Sequence, residues 1–147
     1  MKAKEYLQQL RRLDTVINQK IKELEDLRIK VKGVGSLDYS KERVQTSPSG
    51  DAPFENIFGR IVDLEAEINR EIDTFIVEKH EIINQIQVLK NSKYIEVLYK
   101  HYVEFKRLEV VAVEMNFTYQ YVVELHGCAL KEFQTTYENL LNSNEGK

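Results

Sequence analysis

The stretch "LEVVAVEMNFTYQYVVELHG", Leu108 to Gly127, decides how the C-terminal part of this chain is read. Its fifth residue is the small Ala112, its eleventh is Thr118, and apolar side chains stand at Val111, Met115, Phe117, Val122 and Leu125. That spacing predicts two short helices crossing closely at the alanine, a helix-turn-helix that can lay its second helix in a DNA major groove. Leu108–Met115 is the expected first helix. Asn116 is expected in the tight turn where glycine is usual, because Asn tolerates a left-handed backbone better than other side chains do. Thr118 is expected to cap the second helix, with Val122, Leu125, Ala129, Leu130 and Phe133 facing inward. The stretch holds three glutamates, Glu109, Glu114 and Glu124, and no lysine or arginine, which is unusual for a unit that grips a polyanion.

Working outward, Ser92 can cap a preceding helix carrying Tyr94, Ile95, Val97, Leu98 and Tyr102, with Glu104 to Lys106 as the turn after it. Residues 92–135 thus read as a three-helix unit, followed by a polar tail over 136–147. Toward the N-terminus, Leu10, Ile17, Leu24 and Val31 recur every seven residues, with Tyr6, Leu13 and Leu27 between them and Lys20 as the exception. This is the seam of a long helix over 1–32, about 45 Å long at 1.5 Å per residue, which Gly33 and Gly35 are expected to end. A second seven-residue seam, Phe54, Ile61, Ile68, Phe75, Ile82 and Leu89, marks a helix over 54–91, with Asp51 or Ala52 as its cap and Pro53 in its first turn. The companion positions drift from Ile57 and Leu64 to Ile72 and Ile86, as expected for packing on more than one neighbour. Residues 33–53 hold both prolines and a Ser/Gly/Asp cluster, and read as a linker loop.

Charge supports pairing of the two long segments. Residues 1–32 carry a balance of +4, residues 54–92 one of −4, and the whole chain −3. The expected architecture is therefore all-α: a long antiparallel N-terminal hairpin followed by the three-helix unit. The hairpin reads first as a plain structural element, with an arm through which two copies associate as the sharper alternative. The overall charge lacks the strongly basic footprint of a protein that binds DNA by charge alone. No apolar run nears the roughly 20 residues needed to span a membrane, the N-terminus lacks the apolar core of a signal peptide, and the single cysteine, Cys128, suits a reducing cytoplasm.

The segment "YIEVLYKHYVEFKRLEVVAVEMNFTYQYVVELHGCALKEF", Tyr94 to Phe133, resembles region 4 of bacterial sigma factors. The matching residues are Val111, Ala112, Met115, Thr118, Val122, Leu125, Ala129, Leu130 and Phe133. With "IVDLEAEIN" at Ile61 to Asn69 and "LHGCAL" at Leu125 to Leu130, most of the chain is similar to small prophage proteins of Gram-positive bacteria that join a helical hairpin to a sigma-like helix-turn-helix. Their nearest described relatives are phage late-gene activators of the ArpU and RinA type. The resemblance implies a transcriptional regulator in the bacterial cytoplasm, acting on double-stranded promoter DNA and on RNA polymerase. The implied DNA-facing residues are Thr118, Tyr119, Gln120, Val123, Glu124 and His126, with Lys106, Arg107 and Lys131 as nearby cations. The family usually places arginine or lysine on the outward face of the second helix, and this chain does not.

Other chemistry is thin. His80, His101 and His126 are scattered, and His126 and Cys128 point to different helix faces, so no metal centre, cofactor or catalytic constellation is expected and the chain does not read as an enzyme. Two alternatives to DNA reading stand beside it. One is a module that keeps the sigma-like fold and acts on polymerase or another host or phage protein. The other is a DNA-packaging protein of the small-terminase kind, which also joins such units to oligomerisation arms.

Overall fold

The computed structural model describes residues 1–40 and 48–144, with side chains described over 1–32 and 56–144. All regular structure among the described residues is helical: α1 (Ala3–Leu7), α2 (Gln9–Ser40), α3 (Pro48–Gln87), α4 (Ser92–Leu98), a π turn (Tyr99–Val103), α5 (Leu108–Met115), α6 (Tyr119–Thr136) and α7 (Glu138–Asn144). The chain divides into two compact units, one made of Met1–Asp14 and Phe75–Lys147, the other of Thr15–Thr74.

Several boundaries differ from those the sequence suggests. The first helix does not run unbroken from the start: it is interrupted at Gln8, between α1 and α2. It also continues past Gly33 and Gly35 to Ser40, since a helical glycine costs only about 1 kcal/mol relative to alanine and forces no stop. The expected loop over 33–53 therefore shrinks, and only residues 41–47 of it lie outside the described residues. Helix α3 begins at Pro48, so Asp51 and Ala52 are not caps but lie inside the helix. Proline suits the first helical position because the amide hydrogen it lacks has no intrahelical partner there. The cap of α4 is Asn91 rather than Ser92: its side chain accepts from the Lys93 amide at 2.9 Å. The expected polar tail also contains structure, for α7 buries Leu141 completely.

In the unit Thr15–Thr74, Leu24, Leu27, Ile61, Leu64 and Ile68 form a core of their own, flanked by Ile21, Val31, Ile57 and Ile72. Lys20, the exception on the first seam, places Nζ 2.6 Å from Glu71 and 3.4 Å from Glu67, and Arg28 reaches Glu65 at 2.9 Å. Partner numbers on α3 fall as those on α2 rise, so the two helices run in opposite directions here. The lysine is accommodated on an apolar seam because its ammonium group finds two carboxylates at the seam's edge.

The other unit is built around α6. Val122, Leu125, Ala129 and Phe133 face a core shared with Val97, Leu98, Tyr102, Val103, Val111 and Ala112. Ala3, Tyr6, Leu7 and Leu10 belong to the same core, with Ile82, Ile86 and Leu89 of the α3 end. The N-terminus is held by polar contacts: the amino group of Met1 donates to the Leu141 carbonyl at 3.3 Å, and the Ala3 amide donates to Gln134 Oε1 at 2.7 Å. The Tyr6 hydroxyl donates to Gln85 Oε1 at 2.7 Å and that of Tyr137 to the Gln85 carbonyl at 2.8 Å. The compact unit is accordingly wider than residues 92–135, because the chain start and α7 complete its core.

Candidate functional site

The turn between α5 and α6 sets the site. Asn116 ends α5 in the left-handed conformation, φ 60° and ψ 40°. The Phe117 amide then bonds back to the Ala112 carbonyl at 3.0 Å, the six-to-one closure that ends many helices. Thr118 follows with extended backbone, and its hydroxyl accepts from the Tyr121 amide at 3.2 Å, capping α6. Ala112 is buried where α5 meets the core, as are Val122 and Leu125. The left-handed asparagine and the threonine cap stand where the residue pattern places them.

On a helix of about 100° per residue, Tyr119, Val123, Gln120 and Glu124 fall within one arc of roughly 140°, opposite Val122, Leu125, Ala129 and Phe133. The first four are all exposed, Tyr119 at 51% and Val123 at 40%. Thr118, Arg107 and Lys131 are exposed as well. Tyr121, also outward, is turned sideways: its ring lies edge-on to Phe117 at 4.8 Å, and its hydroxyl accepts from Lys93 Nζ at 3.4 Å. The same ammonium group sits over the Phe117 ring, 5.4 Å from its centre.

The cations beside this face are restrained. Lys100 Nζ and Lys106 Nζ both bond to Glu114 Oε1, at 2.8 and 2.9 Å, and Lys106 also approaches Glu104 at 3.6 Å. Hydrogen bonds from Lys100 and then Lys106 hold the Glu114 carboxyl below the ordinary glutamate range. Lys106 is thus engaged within the chain, unlike Arg107 and Lys131, for which the described residues show no ion pair. Two exposed valines of α5, Val110 and Val113, add an apolar element.

His126 departs from its expected outward role. Its Nε2 lies 2.7 Å from the Tyr102 hydroxyl, the two rings stack at 5.5 Å, and the His101 ring stands edge-on at 5.1 Å. Helical period sets His126 beside Phe133 and Val122 at the edge of the inner face, and the π turn supplies its partners. The Glu104 amide bonds to the Tyr99 carbonyl, five residues back, at 3.0 Å, and this wider turn buries Tyr102 and Val103 side by side. Phe105 then takes a left-handed φ of 59°. His101 Nδ1 donates to the Lys106 carbonyl at 2.7 Å and pins the turn. Burial, with help from His101 and Lys4, pushes His126 down to about 4, and burial pushes Tyr102 up to about 12. At neutral pH the tyrosine hydroxyl therefore donates to a neutral imidazole.

The half-buried imidazole makes stability depend on pH. A histidine whose folded value lies below its unfolded value contributes stability that is complete above about pH 6.5 and is lost as pH falls toward 4. Thermal unfolding between pH 7.5 and 4 should show the wild type losing stability with a slope of up to roughly 1.4 kcal/mol per pH unit from this group. His126→Gln removes the titration, so its loss over the same window should be distinctly smaller. Parallel curves for the two proteins would contradict the half-buried, neutral His126.

Neither the Glu114 clamp nor the His101–Tyr102–His126 cluster follows from residue spacing, because both join separate elements across a non-helical turn. A Cβ placed on Gly127 would meet nothing within 4 Å, so no neighbouring helix of the chain requires glycine there. Cys128 is exposed. Among the described residues no group of three or more His, Cys, Asp or Glu is placed to hold a metal ion, and no helix is long and apolar enough to cross a membrane. Comparison with protein-family models, curated proteins and solved structures finds no match to this chain.

Proposed function

We propose that this protein is a phage-type transcriptional regulator whose α5–turn–α6 unit, similar to sigma region 4, presents the first two turns of α6 to promoter DNA. The observation that carries the reading is the exposed arc of Tyr119, Gln120, Val123 and Glu124, held by the left-handed Asn116 and the Thr118 cap. Thr118 and Arg107 serve the backbone and Gln120 the bases. Lys131 lies farther along the same helix, and His126 acts as a packing residue behind the face. The antiparallel α2 and α3 segments form the arm of the proposed hairpin, a surface through which two copies can associate.

A second reading has its own support. Lys100 and Lys106 are both bonded to Glu114, and Val110 and Val113 are exposed. An apolar, weakly charged face suits a protein partner such as RNA polymerase. Mobility shifts on phage promoter fragments separate the two readings. DNA reading predicts a sequence-dependent complex that Gln120→Ala weakens by roughly 1–3 kcal/mol, the scale of one good base contact. Glu124→Lys should strengthen binding to unrelated DNA. A wild type that shifts no fragment at moderate salt, while polymerase retains it, supports the protein partner instead.

A further inference from the structure

We infer that the α6 face discriminates A·T base pairs through adenine and the thymine methyl group, and does not read guanine. This rests on the DNA reading proposed above. Guanine offers two acceptors, N7 and O6, in the major groove, and proteins usually meet them with arginine or lysine. No cation stands in the first two turns of α6. Of the flanking cations, the exposed Arg107 stands at the start of α5 rather than on α6, and the others are engaged or distant. The His126 imidazole is engaged with Tyr102 and packed on His101. Lys93 is held over Phe117 and against the Tyr121 hydroxyl. Lys106 and Lys100 are bonded to Glu114. Lys131 lies eleven residues beyond Gln120, about 16 Å farther along the helix axis.

What remains matches the other base pair. Gln120 offers an amide donor and acceptor, the complement of adenine N7 and N6. Val123 and the Tyr119 ring lie to one side of it, both substantially exposed, and present apolar surface to a C5 methyl group. Glu124 only accepts, so it repels phosphate oxygens and the guanine acceptors N7 and O6, and the amines open to it are those of cytosine and adenine. The three side chains beside Gln120 in the arc thus offer nothing that donates from a cation to the guanine acceptors.

The test uses the full chain and a random-sequence duplex library. Selection should enrich A·T pairs at the contacted positions. Replacing each enriched thymine by deoxyuridine removes only its methyl group, and should weaken binding roughly three- to fivefold at a contacted position. Val123→Ala should abolish that thymine-over-uracil preference at one position, and Gln120→Ala should flatten the preference for adenine at another. Enrichment of G·C pairs, or indifference to deoxyuridine at every position, overturns this inference and leaves the DNA reading standing. Absence of any enriched sequence overturns both.

Discussion

Val122→Asp should unfold the unit formed by Met1–Asp14 and Phe75–Lys147. Val122 is fully buried on the inner face of α6, in the core that also holds Val111, Ala112 and Phe133. No described basic side chain lies in that core, so the new carboxylate would be buried without a partner. Such burial costs several kcal/mol, a large share of the ~5–15 kcal/mol that holds a domain together. The expected loss in thermal midpoint is at least about 10 °C. Near-ultraviolet circular dichroism is a suitable probe, since every tyrosine except Tyr39 belongs to this unit. Val123→Asp, one residue away on the exposed arc, should leave the midpoint close to that of the wild type. Equal midpoints for all three proteins would show that α6 does not bury the face described.

How much of this was legible in the chain depends on range. The left-handed Asn116, the Thr118 cap and the inward Val122, Leu125, Ala129 and Phe133 follow from short-range chemistry and helical period, which a sequence displays directly. The N-terminal segment is different. Ala3, Tyr6 and Leu7 carry the same apolar spacing as the rest of the first helix, yet they share a core with α6 and Leu141, more than a hundred residues away. Period alone does not say which partner an apolar face selects. The π turn is a further case. Nothing in "YKHYV" announces the π turn that supplies Tyr102 and His101 as partners of His126, although helical period already sets His126 at the border of the inner face of α6. The continuation of α2 beyond Gly33 shows the weakness of glycine as a stop signal when no left-handed turn follows it. The function of the outward arc was legible only as chemistry: amide, aromatic, valine and carboxylate, with no guanidinium.

The second large effect concerns charge. Glu114→Gln keeps the shape of the side chain and removes the anion that holds both Lys100 and Lys106. These groups are exposed enough that exposed ion-pair energetics apply, so stability should change little. DNA binding should change much more. The Lys100 ammonium group next to the turn unit becomes free for phosphate oxygens, while Lys106 keeps only Glu104 at 3.6 Å, and each additional phosphate neutralised adds about 0.9 to the slope of log affinity against log salt. Glu114→Gln should therefore bind unrelated DNA more tightly at low salt, with a slope steeper by about one to two units, and with less discrimination between its preferred duplex and others. The wild type, with these lysines clamped, should show a shallow slope and a marked sequence preference. Affinities of wild type and Glu114→Gln for one selected and one unrelated duplex, measured by fluorescence anisotropy from about 50 to 200 mM salt, bear most directly on the central claim that α6 reads DNA by its bases with its flanking charge held in check. A shallow, sequence-dependent wild type beside a steep, less selective variant is the predicted result. No complex with either duplex for either protein, or a steep and unselective wild type, would contradict it.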